Sequence, residues 1–75
     1  MPFSNIDCSH EAQQEWDKLR NKCKTRLERV FKFCEALYDL GEISDKPELD
    51  KDVGCVWIGS QRVTQCDGVK LVFMF

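Results

Sequence analysis

Gly-Cys-Val-Trp-Ile-Gly-Ser-Gln-Arg-Val-Thr-Gln-Cys-Asp-Gly-Val-Lys-Leu-Val-Phe-Met-Phe, residues 54–75, decides the fold class. Its three runs rich in β-branched and aromatic residues predict strands. Asp67-Gly68 suits a two-residue type I′ turn and Gly59-Ser60 a type II′ turn. With those turns Cys66 pairs with Val69, Thr64 with Leu71 and Arg62 with Phe73. Across the other turn Ile58 pairs with Gln61, Trp57 with Arg62 and Val56 with Val63. One face then carries Cys55, Trp57, Arg62, Thr64, Cys66, Val69, Leu71, Phe73 and Phe75. The other carries Val56, Ile58, Gln61, Val63, Gln65, Lys70, Val72 and Met74. Both faces have apolar centres, whereas an antiparallel face open to water is mostly polar. The expectation is a three-stranded meander with more apolar surface than one helix can bury. Its last strand is an apolar edge that invites a second chain, unless the N-terminal arm pairs with it.

The preceding residues must cover that sheet. Ala12, Trp16, Leu19, Cys23, Leu27, Val30, Cys34 and Leu37 recur at steps of three and four, which is helical spacing. Asp7 or Ser9 is the expected N-cap, and Gly41 the residue that follows the helix end. After Val30 the apolar stripe broadens, as Phe31, Phe33, Tyr38 and Leu40 join it. A continuous helix from His10 to Leu40 would run roughly 46 Å, while a compact chain of this length is only about 30 Å across. Either the helix breaks near Arg20-Asn21-Lys22, forming a hairpin, or its first half projects; a break or sharp bend is the favoured of the two. The fold class is thus α+β: a single domain with an arm at 1–8, a long helix or helical hairpin at 9–40, an acidic loop at 41–53 and the meander at 54–75.

At 75 residues, 43% hydrophobic and 32% charged, the chain has the composition of one small globular domain. No stretch is long and apolar enough to span a bilayer; the longest apolar run is Val72 to Phe75. The formal charge of −2 argues against sequence-independent nucleic-acid binding as the main activity. Five cysteines, an odd number without a CxxC pair, and no basic-then-apolar leader in Met1–Asn5 predict a reduced, cytoplasmic protein.

No catalytic motif is present: there is no phosphate loop, no GxSxG and no HExxH. Cys8 and His10 with Cys55 or Cys66 offer zinc-ligand types without the paired spacing of structural zinc, so no metal or cofactor is expected. Glu35 and Asp39 lie one helical turn apart at an exposed-looking helix end, with nothing to desolvate either. Charge is unevenly spread. Lys18, Lys22, Arg26 and Arg29 are spaced four, four and three, and a continuous helix would align them on one face. Such a row reads as a solvated face, or as a surface for an acidic partner or a phosphate backbone. Arg62 stands alone among Trp57, Thr64 and Phe73. It either stacks on Trp57 and reaches for solvent, or binds an anion.

From Leu27 to Phe75 the pattern resembles the RelE/ParE superfamily of small toxins, particularly its HigB-like and phage-type members. The matching residues are Leu37-Tyr38-Asp39-Leu40-Gly41, the acidic loop, Val53-Gly54-Cys55-Val56-Trp57-Ile58, Gln61-Arg62-Val63 and the run from Gly68 to Phe75. Trp16-Asp17-Lys18-Leu19 would then lie on the first helix of that family's hairpin. The resemblance implies the fold, and a ribonuclease activity for which Arg62 and Lys70 are the available residues. The chain departs from the family in being acidic, in lacking a clear opening strand and in stopping at Phe75. The leading expectation is therefore a non-catalytic protein-binding module, an inhibitor or regulator of a larger protein or nucleoprotein complex. It would associate as a homodimer or with another protein through Lys18, Lys22, Arg26, Arg29, Trp57, Arg62, Val72, Phe73, Met74 and Phe75. Nucleic acid on the basic helix face is a less favoured partner.

Overall fold

The computed structural model describes residues 3–75. Strand β1 (Phe3–Asp7) leads into helices α1 (His10–Lys22) and α2 (Arg26–Asp39), followed by β2 (Pro47–Asp50), β3 (Cys55–Ile58), β4 (Gln61–Cys66) and β5 (Lys70–Met74). The strands form one antiparallel sheet in the order β1-β5-β4-β3-β2. The class is α+β, as expected, but the sheet has five strands where the sequence predicts three. The arm and the acidic loop supply the other two. Residues of the arm pair with β5 along their length, Ile6 opposite Leu71 and Asp7 opposite Lys70. The final strand is therefore interior to the sheet: the arm pairs with it, the alternative to an exposed edge there. In the acidic loop Leu49 pairs with Val56 and turns inward, so its apolar side chain anchors an edge strand among the charges.

The helical region is a hairpin, and α1 and α2 pack on each other and on one face of the sheet. Its break falls at Cys23–Thr25, just past the Asn21 region, because local capping chemistry sits there. Thr25 accepts from the Glu28 amide at 3.1 Å, and the Glu28 carboxylate accepts from the Lys24 amide at 3.3 Å. Ser9 caps α1 by accepting from the Ala12 amide and donates to the Glu42 carboxylate at 2.5 Å, joining the start of α1 to the loop after α2. Helix α2 ends at Gly41, whose φ is +79°; the Glu42 and Gly41 amides donate back to the Leu37 and Tyr38 carbonyls. The helix stripe is buried as its spacing predicts, at Ala12, Trp16, Leu19, Val30, Phe33, Cys34 and Leu37. Tyr38 and Leu40 depart from it and remain 40% and 45% exposed at the end of α2.

The sheet register agrees with expectation between β3 and β4 and departs from it throughout the β4–β5 pairing. Ile58–Gln61 and Trp57–Arg62 pair as the Gly59-Ser60 turn requires. On β5, however, Cys66 meets Leu71, Gln65 meets Val72, Val63 meets Phe73 and Arg62 meets Met74, with a bulge at Thr64. An extra residue in one strand exchanges faces on one side of the bulge. Val56, Ile58 and Val63 thus join Cys66, Leu71 and Phe73 under the helices, while Trp57 and Arg62 join Val72 and Met74 on the opposite face. The two half-apolar faces drawn from an unbulged register become one apolar face and one mixed face. The Asp67-Gly68 turn is also longer than two residues. Asp67 accepts from the Val69 and Lys70 amides at 3.0 and 2.9 Å, and the Cys8 amide donates to the Val69 carbonyl at 2.7 Å, holding Val69 off the ladder.

Candidate binding surface

The hairpin covers only one face of the sheet. Across the other, the register sets Glu48, Trp57, Arg62 and Met74 in one row on adjacent strands. Val72 lies two residues along β5 from Met74, between Gln65 and Asn5. Trp57, Val72 and Met74 are half-buried by their neighbours in the sheet, Arg62 and Glu48 are exposed, and Trp57, Val72 and Met74 lie outside the core cluster. This open face brings together four of the residues expected to meet a partner. Phe73, expected there too, is 9% exposed and belongs to the core, because the bulge turns it toward the helices. Phe75 extends past β5 and is 73% exposed.

The expected basic row is divided by the hairpin. Lys18 and Lys22 are on α1, both exposed, with Lys18 paired to Glu15 at 3.2 Å. Arg26, which is exposed, and Arg29, which is half-buried, are on α2, and each donates to a backbone carbonyl elsewhere in the molecule. Arg26 donates to the Cys66 carbonyl at 2.7 Å, tying α2 to the end of β4. Arg29 lies over the Trp16 indole, its central guanidinium carbon 3.7 Å from the ring centroid, and donates to the Trp16 carbonyl at 2.9 Å. Burial, with Arg20 nearby, lowers the Arg29 pKa, but a guanidinium keeps its charge at any physiological pH. The spacing that aligned these residues holds only for an uninterrupted helix; the Thr-x-x-Glu capping signature at 25–28 is the signal that breaks it.

The zinc-ligand candidates are not brought together. His10 is exposed and meets Gln14, and Cys55 shares the open face with Trp57 while Cys8 and Cys66 are in the core. Among the described residues no three His, Cys, Asp or Glu side chains converge as metal ligands. Burial raises the thiol pKa of Cys8 to about 11, that of Cys66 to about 12, and that of Cys34 further still. These three are packing groups and poor nucleophiles.

No protein-family model, characterised protein or solved structure matches this chain. Its own geometry therefore carries the functional reading. Arg62 and Lys70, the pair that the toxin resemblance makes available for phosphate chemistry, are set apart by the register. Arg62 is level with Met74, four residues along β5 from Lys70, so roughly 13 Å separates them along the strand. Among the described residues no helix is long and apolar enough to cross a membrane.

Sequence reasoning missed the surroundings of Trp57. Glu48, Asp50 and Asp52 flank a cleft of about 620 Å³ beside its indole, where the sequence reads only a solvated acidic loop. The alternation of Glu48-Leu49-Asp50 was the available signal for a strand with its acids on one side.

Proposed function

We propose that this chain is a non-catalytic protein-binding module, an inhibitor or regulator of a larger protein or nucleoprotein complex, and that it engages its partner through the open face of the sheet. The observation carrying this reading is the uncovered row Trp57, Arg62 and Met74, with Val72 beside it, on the face opposite the helices. Trp, Arg and Met are the residue types enriched where interfaces bury most completely. Arg62 lies directly opposite Trp57 in the ladder, in place to anchor a carboxylate beside an apolar contact. The five cysteines, all free, support residence in a reducing compartment such as the cytoplasm.

The test combines light scattering with affinity capture, using wild type, a Trp57→Glu/Met74→Glu variant and a Lys18→Glu/Lys22→Glu variant. The reading predicts self-association or a specific captured protein that the open-face variant loses and the helix variant keeps. The ribonuclease alternative predicts growth arrest on expression that Arg62→Ala relieves, and the binding reading predicts no such arrest.

A further inference from the structure

We propose that the outer edge of β2 is a strand-addition site for an extended partner segment in which apolar and basic residues alternate. This goes beyond the open-face reading; the two surfaces are distinct and meet at Glu48 and Trp57. The sheet ends at β2, and among the described residues no strand pairs with its outer edge. Such an edge presents free backbone donors and acceptors to any extended chain laid beside it.

What distinguishes this edge is a hollow on each side of it. On the helix side, Leu27, Phe31 and Leu49 line a groove of about 450 Å³ with Lys32, Lys51 and Glu28 among its walls. On the open side, Trp57 stands beside Glu48, Asp50 and Asp52 in the larger cleft, with Lys51 the one cation on its wall. Successive side chains of an added strand point to opposite faces. One set therefore enters the apolar groove, and the alternate set meets an indole and three carboxylates opposed by the single cation Lys51. A Lys or Arg there gains both charge complementarity and a cation–π contact. The groove under the helix holds two cations, Lys32 and Lys51, against the one acid Glu28, so it is the less favourable side for the basic residues.

The charges also select against a second copy of this chain. Two β2 edges laid together would bring Glu48, Asp50 and Asp52 against their own kind. The other edge of the sheet, β1, offers Asn5 and Asp7 on its open side and no cation. The matching strand must come from another protein. Because β2 is four residues long and begins with Pro47, which has no N–H to donate, the backbone ladder is short. Side-chain complementarity then decides which strands bind.

The probe is the synthetic peptide acetyl-Val-Arg-Val-Lys-Val-Arg-Val-amide, titrated into isotope-labelled full-length chain and followed by amide NMR shifts. Its control carries Glu in place of Arg and Lys. The proposal predicts shifts centred on Leu49 and Lys51, extending to Leu27 and Phe31, with Val72 and Met74 unmoved. It also predicts a dissociation constant at least tenfold lower for the basic peptide than for the acidic one, and reversal of that preference by Glu48→Lys/Asp52→Lys. Both substituted residues are exposed, and unchanged amide dispersion checks that the variant folds. Equal binding of the two peptides, or no shifts at all, overturns the proposal. Shifts confined to Val72 and Met74 also overturn it while leaving the open-face reading in place.

Discussion

The central guanidinium carbon of Arg29 lies over the indole of Trp16, 3.7 Å from the ring centroid, while one of the guanidinium N–H groups donates to the carbonyl of the same residue at 2.9 Å. Phe33 meets Trp16 edge-on, with centroids 5.0 Å apart. One tryptophan thus joins α1 to α2, and it also reaches the β4–β5 turn at Gly68. The hairpin packs on one face of the sheet, through Trp16 at this turn and through α2 against β2 and β3, and the opposite face is left free.

Replacing Arg29 with Met keeps the aliphatic stem and removes the stacked charge and the hydrogen bond. A charge-assisted bond contributes about 1.5–3 kcal/mol and a cation–π contact about 0.5–2 kcal/mol, without full additivity. The expected loss is about 2 kcal/mol in urea unfolding. Arg29→Lys should recover less than half, because an ammonium cannot stack and donate to the carbonyl from one plane. Full rescue by Lys would show that charge alone matters.

Gly68 takes a φ of +87°, and a Cβ there would overlap the Trp16 indole. Gly68→Ala carries about 1–2 kcal/mol from the left-handed backbone alone and displaces the indole besides. Thermal unfolding should shift downward, and tryptophan fluorescence should report a more solvated Trp16. Gly41→Ala meets open space and should cost only the backbone share.

The cysteines should separate into two classes. Cys23 and Cys55 are half-exposed and should be alkylated by iodoacetamide near pH 8, while Cys8, Cys34 and Cys66 react only on unfolding. The same burial gives stability a pH dependence. A thiol whose pKa rises in the folded state favours folding while it is protonated, so its contribution is complete below the ordinary value of 9.0. It declines as pH rises toward the folded values of about 11 for Cys8 and about 12 for Cys66. Urea midpoints should therefore be flat from pH 7 to 8.5 and fall above pH 9. A Cys8→Ala/Cys66→Ala variant should show a shallower fall, and equal slopes would contradict this origin.

Much of this architecture is legible in the residues. Helical spacing from Ala12 to Leu37 finds the buried stripe, and Gly59-Ser60 finds the β3–β4 turn and its register. Three features escape a reading by period and turn type. The Thr64 bulge leaves no mark beyond a β-branched polar residue, yet it decides which half of β4 shares a face with Trp57. The arm's pairing with β5 stands only as an alternative in the residues, because it runs through backbone groups, which any sequence supplies. The basic row of Lys18, Lys22, Arg26 and Arg29 is a property of a continuous helix, and the Thr25–Glu28 capping interaction ends that continuity. The candidate surface was legible at Trp57, Arg62, Val72 and Met74, but its exclusion of Phe73 and its acidic margin at Glu48 depend on long-range pairing.

The most direct test of the central claim is a comparison of partner association between the Trp57→Glu/Met74→Glu variant and wild type, read by light scattering and by quantitative capture at matched folded concentration. The account predicts that wild type self-associates or retains a specific protein, that the open-face variant loses it at least tenfold, and that the Lys18→Glu/Lys22→Glu variant retains it. A wild-type chain that is strictly monomeric and captures nothing specific, or an association lost with the helix variant and kept by the open-face variant, would contradict it.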